Sequence, residues 1–78
     1  MKTTSDIMTA IAEHLGLSAE DIDPQALLRE DLGLGPIELN DLLNALSKKF
    51  NISFEPDDIA ELRKVEDLVV LVEDNLIE

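Results

Sequence analysis

The stretch from Pro36 to Phe50 constrains this chain more than any other. Leu39, Leu42, Leu43, Leu46 and Phe50 recur at helical spacing. Pro36, with its φ fixed and no N–H to donate, suits the first turn of a helix and no later turn. The spacing predicts a helix starting at Pro36, with Glu38 near its positive end, Lys48 and Lys49 near its negative end, and Asn51 as a left-handed stop. A helix with one apolar face needs other elements to cover it. Ile7, Ala10, Ile11 and Leu15 predict a helix from about Thr4 to His14, with Thr3 and Asp6 as a capping-box-like start and Gly16 ending it. Val65, Leu68, Val69, Val72 and Leu76 predict a last helix over about Glu66 to Leu76; valines are mediocre helix formers, so packing must support it. Pro56 to Leu62, with Asp57 and Asp58 in the first turn, predicts a short third helix. No segment alternates as a strand does, so the fold class read here is all-α, a small four-helix bundle with a long first loop and a short third helix.

That loop, Leu17 to Gly35, exceeds the usual limit of about 12 to 15 structureless residues and so needs a reason. Leu17, Ile22, Leu27, Leu28, Leu32 and Leu34 supply one: a connection this apolar is expected to lie on the core. Asp23-Pro24-Gln25-Ala26 is expected to add one capped helical turn.

With 78 residues the chain reads as one domain, residues 1–78, and with no cysteine it has neither disulfide staples nor thiol chemistry. Eighteen Asp and Glu against six Lys and Arg leave a formal charge of −12, which repels nucleic acid and anionic membranes. No apolar run is long enough to span a bilayer, and Met1-Lys2-Thr3-Thr4-Ser5-Asp6 lacks the apolar core of a signal peptide. The expectation is a soluble, cytoplasmic monomer.

Most candidate chemistry fails on composition. His14 is alone, without a second histidine or a nucleophile at useful spacing, and is read as a surface residue near a helix end. Asp21-Ile22-Asp23 opens like a calcium loop, but Gln25 and Ala26 stand where that motif needs an acid and then glycine. Asn51-Ile52-Ser53 fits a glycosylation acceptor without a secretory context. The carboxylate pairs Glu30-Asp31 and Asp57-Asp58 read as a solvated loop and a helix start. Gly33-Leu34-Gly35-Pro36 is too poor in glycine to cradle phosphate, and Phe50 and Phe54 read as core. No metal site and no enzymatic activity are expected.

The informative segment is Glu30-Asp31-Leu32-Gly33-Leu34-Gly35-Pro36-Ile37-Glu38-Leu39. Here the chain resembles the acyl carrier protein family, small acidic four-helix proteins in which Asp-Leu-Gly is followed, after two residues, by a Ser-Leu pair opening the second helix. Asp31-Leu32-Gly33 matches that pattern; Ile37, Glu38, Asp41 and Leu42 fall where the family has apolar, acidic, acidic and apolar residues. Phe50, Phe54, Pro56, Ala60, Leu62 and Val65 continue the likeness, with the proline displaced by about one place, so it spans nearly the whole chain.

The resemblance implies a serine bearing 4′-phosphopantetheine, but Pro36 occupies the matching position, with Gly35 where Asp is usual and Ile37 following. Ser5, Ser18, Ser47 and Ser53 lie outside any Asp-Ser-Leu context. The expected cofactor is therefore none. The resemblance also implies partners: pathway enzymes whose basic patches grip acids on the second helix, a surface kept at Glu38 and Asp41. Lys48 and Lys49 replace acids common in the family, changing local charge by about four units, enough to redirect partner choice; equally, they could merely favour the helix end. Asn40 and Asn44 replace residues usually apolar. The reading is a carrier homologue acting through protein contacts in fatty acid, polyketide or related thioester pathways. The alternatives are a working carrier, with Pro36 an introduced change or another serine used, and an acidic interaction domain of an unrelated pathway.

Overall fold

The computed structural model describes residues 4–76. It contains α1 (Thr4–Leu15), a 3₁₀ turn (Ala19–Asp21), α2 (Pro36–Phe50), α3 (Pro56–Ala60) and α4 (Val65–Leu76). The four-helix all-α arrangement and the α2 boundaries match the sequence expectation; α3 stops at Ala60, short of Leu62. The proposed role of Thr3 in capping α1 lies outside the described residues.

Each long helix contributes one buried face. Ile7, Ala10, Ile11 and Ala12 of α1 meet Leu42, Leu43, Leu46 and Phe50 of α2 and Val65, Leu68, Val69 and Val72 of α4 in a single apolar cluster. Fully burying a Leu, Ile or Val stabilises by about 1.5–3 kcal/mol, and this cluster is what offsets the weak helix preference of the α4 valines. The Thr4 hydroxyl donates to the Glu73 carboxylate and ties the start of α1 to α4.

The helices end as their residues require. Gly16 adopts φ 73°, and Leu17 N–H returns to Ala12 O at 2.8 Å, closing α1 with a Schellman pattern. Asn51 does the same for α2 without being glycine, at φ 56° and ψ 51°, with Ile52 N–H reaching Ser47 O at 3.0 Å. Left-handed backbone costs an ordinary L-residue about 1–2 kcal/mol, less for asparagine. Asn51→Ala is therefore expected to lower stability by about 1 kcal/mol in urea unfolding while Asn51→Gly leaves it equal or higher; equal losses for both would remove the backbone explanation.

The long connection is the most instructive part. Ile22, Leu28 and Leu34 are buried in the helical core, as expected of an apolar loop, but Leu17 stands exposed. The backbone explains how the loop is held: Leu28 N–H donates to Arg63 O at 2.8 Å, Val65 N–H to Ala26 O at 3.0 Å and Glu66 N–H to Pro24 O at 2.9 Å. Leu27 and Lys64 thereby form an isolated antiparallel bridge, a two-residue echo of a sheet in an otherwise helical chain. The helical turn expected at Asp23-Pro24-Gln25-Ala26 is a correction: those residues form a β-turn, with Ala26 N–H on Asp23 O at 2.9 Å. The Asp23 carboxylate takes Gln25 N–H, also at 2.9 Å, and this Asx turn competes with helix continuation. The helical turn of this loop lies earlier, at Ala19–Asp21.

Candidate functional site

The start of α2 is where the pinned loop delivers the chain to a helix end. Leu34, buried, anchors the approach, and its N–H bonds Leu28 O at 3.0 Å. Gly35 is the N-cap residue in extended conformation and Pro36 the first helical residue. A helix start leaves N–H groups without intrahelical partners, and proline removes one of them at no cost. Gly35 has no side chain with which to cap. Instead the carboxylate of Glu38 reaches back and accepts the Gly35 N–H at 2.8 Å. Glu38 therefore fills half of a capping box, and its charge sits where the helix dipole favours it.

The same device opens α4. The Asp67 carboxylate accepts the N–H of Lys64 at 3.0 Å and of Arg63 at 3.2 Å. Gly35 has no side chain to cap with and Lys64 is not a capping residue by type, so a search for Ser, Thr, Asp or Asn finds neither helix start; the signal is the acid three places downstream.

Glu38 also crowds the helix start. A Cβ placed on Gly35 would come within 2.7 Å of Glu38 Oε1, so any larger residue there requires that carboxylate to swing away. Chemically, the helix start offers nothing to modify: Gly35 carries no side chain, Pro36 a hydrocarbon ring and Ile37 an aliphatic chain that is 73% exposed. An ester needs a hydroxyl at this place, and the residues present do not fit an attached prosthetic arm.

The exposed face of α2 carries the remaining candidates. Pro36, Ile37, Glu38, Asn40, Asp41, Asn44, Lys48 and Lys49 are all exposed along it. The helix rises about 1.5 Å per residue, so Asp41 and Lys48 stand roughly 10 Å apart along the axis, acids above and lysines below. Lys49 Nζ lies 4.0 Å from Glu13 Oε1 on α1, with both side chains more than half exposed. Such a pair contributes about 0–1 kcal/mol. Lys48 has no such neighbour among the described residues.

The other sequence candidates are dispersed. His14 is exposed in the last turn of α1, and Phe54 packs half-buried against the core edge. Asp31 does local work by accepting Leu27 N–H at 2.8 Å. Asp57 and Asp58 open α3. Asp58, Glu61, Glu66, Asp67 and Asp74 rim a groove of about 270 Å³ between α3 and α4. Among the described residues no cluster of His, Cys, Asp or Glu is arranged to hold a metal ion.

The four serines of the chain lie in other settings. Ser47 lies inside α2 with its hydroxyl donated to Ile52 O. Ser18 precedes a 3₁₀ turn of 3 residues that is itself acidic at Glu20 and Asp21, too short to sum a useful dipole. Ser5 is the second residue of α1, between Thr4 and Asp6, and Ser53 lies in the connection before α3.

Comparison with known proteins decides what this arrangement belongs to. The profile of the family described as "Phosphopantetheine attachment site" matches residues 5–72. This chain belongs to the acyl carrier protein family. An acyl carrier protein of Nitratidesulfovibrio vulgaris (strain DSM 19637 / Miyazaki F) is 33% identical over 72 residues, covering 92% of this chain and 95% of the relative. That of Helicobacter pylori (strain J99) is 35% identical over 75 residues, covering 96% of each. The crystal structure of the acyl carrier protein from Thermotoga maritima superposes with a TM-score of 0.74 at 28% identity, covering 92% of this chain and 84% of that one. Acyl carrier proteins are carrier proteins and not enzymes, and they work with the enzymes of a pathway. No helix among the described residues is long and apolar enough to cross a membrane.

Proposed function

We propose that this acyl carrier protein homologue is not primed at the start of α2 and acts through protein contacts, occupying, regulating or scaffolding enzymes of fatty acid, polyketide or related thioester pathways. One observation supports the reading: the start of α2, where the sequence resemblance puts the family's attachment point, holds Gly35, Pro36 and Ile37, none with a nucleophilic atom, in a fold like that of the Thermotoga maritima acyl carrier protein. Proline at the first helical position keeps the helix and removes the hydroxyl.

The contact surface is the exposed face of α2, with Glu38 and Asp41 addressing basic patches of partner enzymes and Lys48 and Lys49 asking for an acidic neighbour lower down. Glu38 contributes its charge there while also closing the helix start, so Asp41 is the freer of the two acids. Complementary charges mostly set encounter rate and partner choice. Glu38→Lys combined with Asp41→Lys is expected to weaken binding to purified carrier-dependent synthases and reductases by about tenfold or more in surface plasmon resonance, with the loss fading as salt is raised. Undiminished binding would mean that partners dock elsewhere.

A second reading, a working carrier, has in its favour that the family profile describing an attachment site covers the chain. It would need a serine other than the matching residue: Ser5 lies in the first turn of α1 but between Thr4 and Asp6, outside the family's Asp-Ser-Leu pattern, and Ser18, Ser47 and Ser53 stand at no long-helix start.

A further inference from the structure

Both arginines of this −12 chain come from segments far apart in sequence, Arg29 in the long loop and Arg63 in the connection before α4. The Leu27–Lys64 bridge and the Leu28 N–H bond to Arg63 O hold those segments side by side. Arg29 and Arg63 consequently line one open groove of about 460 Å³, with Leu27 and Leu62 half-buried in its wall and Glu30 and Ala60 beside them; no residue of α2 lines it. Lys64 follows Arg63 and is exposed like it, its ammonium donating to the Gln25 side-chain oxygen at 3.0 Å. The acids that could neutralise this patch are committed to other donors. Asp31 accepts Leu27 N–H at 2.8 Å, and Asp67 accepts Lys64 N–H at 3.0 Å and Arg63 N–H at 3.2 Å. Glu66 accepts the side-chain amide of Gln25, and Asp23 its backbone N–H at 2.9 Å. The ion pair found among the described residues is Lys49 with Glu13, so neither guanidinium is paired with a described carboxylate although the chain holds 18 acids.

We propose that the Arg29–Arg63 patch is a docking surface for an acidic segment of a partner protein, with one carboxylate on each guanidinium and an apolar side chain over Leu27 and Leu62. Guanidinium groups match carboxylates with paired N–H donors, and charge-assisted bonds of this kind are about twice as strong as neutral ones. Charge complementarity sets the sign of the partner: two exposed cations meet no described carboxylate, because the acids around them already hold backbone and amide donors. The chain's own field sets the class. Nucleic acid or an anionic membrane brings a dense array of charges, which the rest of a −12 surface repels. A segment with two carboxylates brings only as much charge as the patch neutralises. The apolar wall gives contact area to a segment that bears side chains, and a small anion cannot use it. This surface is opposite in sign to Glu38 and Asp41 on α2 and does not depend on them.

The test is a titration of the full-length, 15N-labelled protein with a short synthetic peptide repeating Glu-Glu-Leu, followed by amide chemical shifts, beside a Gln-Gln-Leu peptide, a Glu-Glu-Ser peptide and inorganic phosphate. The expected result is saturable shifts at Leu27, Arg29, Leu62 and Arg63 with the Glu-Glu-Leu peptide. Binding is expected to be weaker by about tenfold or more without the carboxylates and by about threefold or more without the leucines. Arg29→Gln with Arg63→Gln is expected to weaken binding of the Glu-Glu-Leu peptide by about tenfold. Lys48→Gln with Lys49→Gln lowers the net charge identically, from −12 by two to −14, and is expected to change binding less than about twofold. All four residues are exposed, so both double variants are expected to fold, as circular dichroism would show. Absence of saturable shifts at the patch, either comparison peptide binding as tightly as Glu-Glu-Leu, or equal losses in the two double variants would each overturn the proposal. Phosphate saturating the same amides at the peptide's concentrations would also overturn it, and would mark a small-anion site instead.

Discussion

Leu28→Ala is expected to destabilise the protein by about 2–5 kcal/mol, as much as Leu42→Ala in the middle of α2. Both side chains have 0% exposure, although one belongs to a loop. The cost arises because the loop cannot collapse into the space left behind: its backbone is tied to Arg63, Val65 and Glu66 by three bonds of 2.8–3.0 Å. A domain of this size has a total stability of about 5–15 kcal/mol, so either change removes a large fraction. Leu17→Ala, in the same loop but 46% exposed, is expected to stay within about 0.5 kcal/mol. Urea unfolding of the three variants reads this directly. A Leu28 variant as stable as the Leu17 variant would mean that the connection is draped over the core and not built into it.

The second large effect is a gain of function. The unaltered chain is expected to take up no prosthetic group from coenzyme A in the presence of a broad-specificity phosphopantetheinyl transferase, and the Pro36→Ser variant is expected to take it up. The substitution places a hydroxyl at the first position of α2, where helix N–H groups and the dipole favour a phosphodiester. It should cost only about 0.4–1 kcal/mol through the freer unfolded chain. Adding Gly35→Asp is a different matter. The new Cβ would meet Glu38 Oε1 at 2.7 Å, so that carboxylate must leave the Gly35 N–H before an aspartate can occupy the cap. Pro36→Ser alone is the cleaner variant. Its failure to be modified, with the helix intact by circular dichroism, would show that the changed surroundings also exclude the transferase.

How much of this was legible in the sequence varies along the chain for identifiable reasons. Pro36–Phe50 was readable in full because three independent signals agree: a proline that can only start, a stripe of five apolar residues, and an asparagine able to stop. The loop was legible in kind but not in form. Its apolar residues have no period, so nothing local separates buried Ile22, Leu28 and Leu34 from exposed Leu17; the choice is made by backbone bonds to residues near 64. The misplaced helical turn has the same origin, since Asp23 uses its side chain on Gln25 N–H. For the site, the absence of a hydroxyl at Pro36 was plain in one dimension. What needed three was the backward reach of Glu38 to Gly35.

The central question is whether anything is covalently carried by the unaltered chain. Intact-mass spectrometry of the unaltered protein, before and after incubation with coenzyme A and the transferase, asks this with no assumption about which serine is used. The expected result is an unchanged mass equal to that of the bare polypeptide. A pantetheine-sized increment on the unaltered chain would contradict it, and peptide mapping would then name the serine that carries the arm.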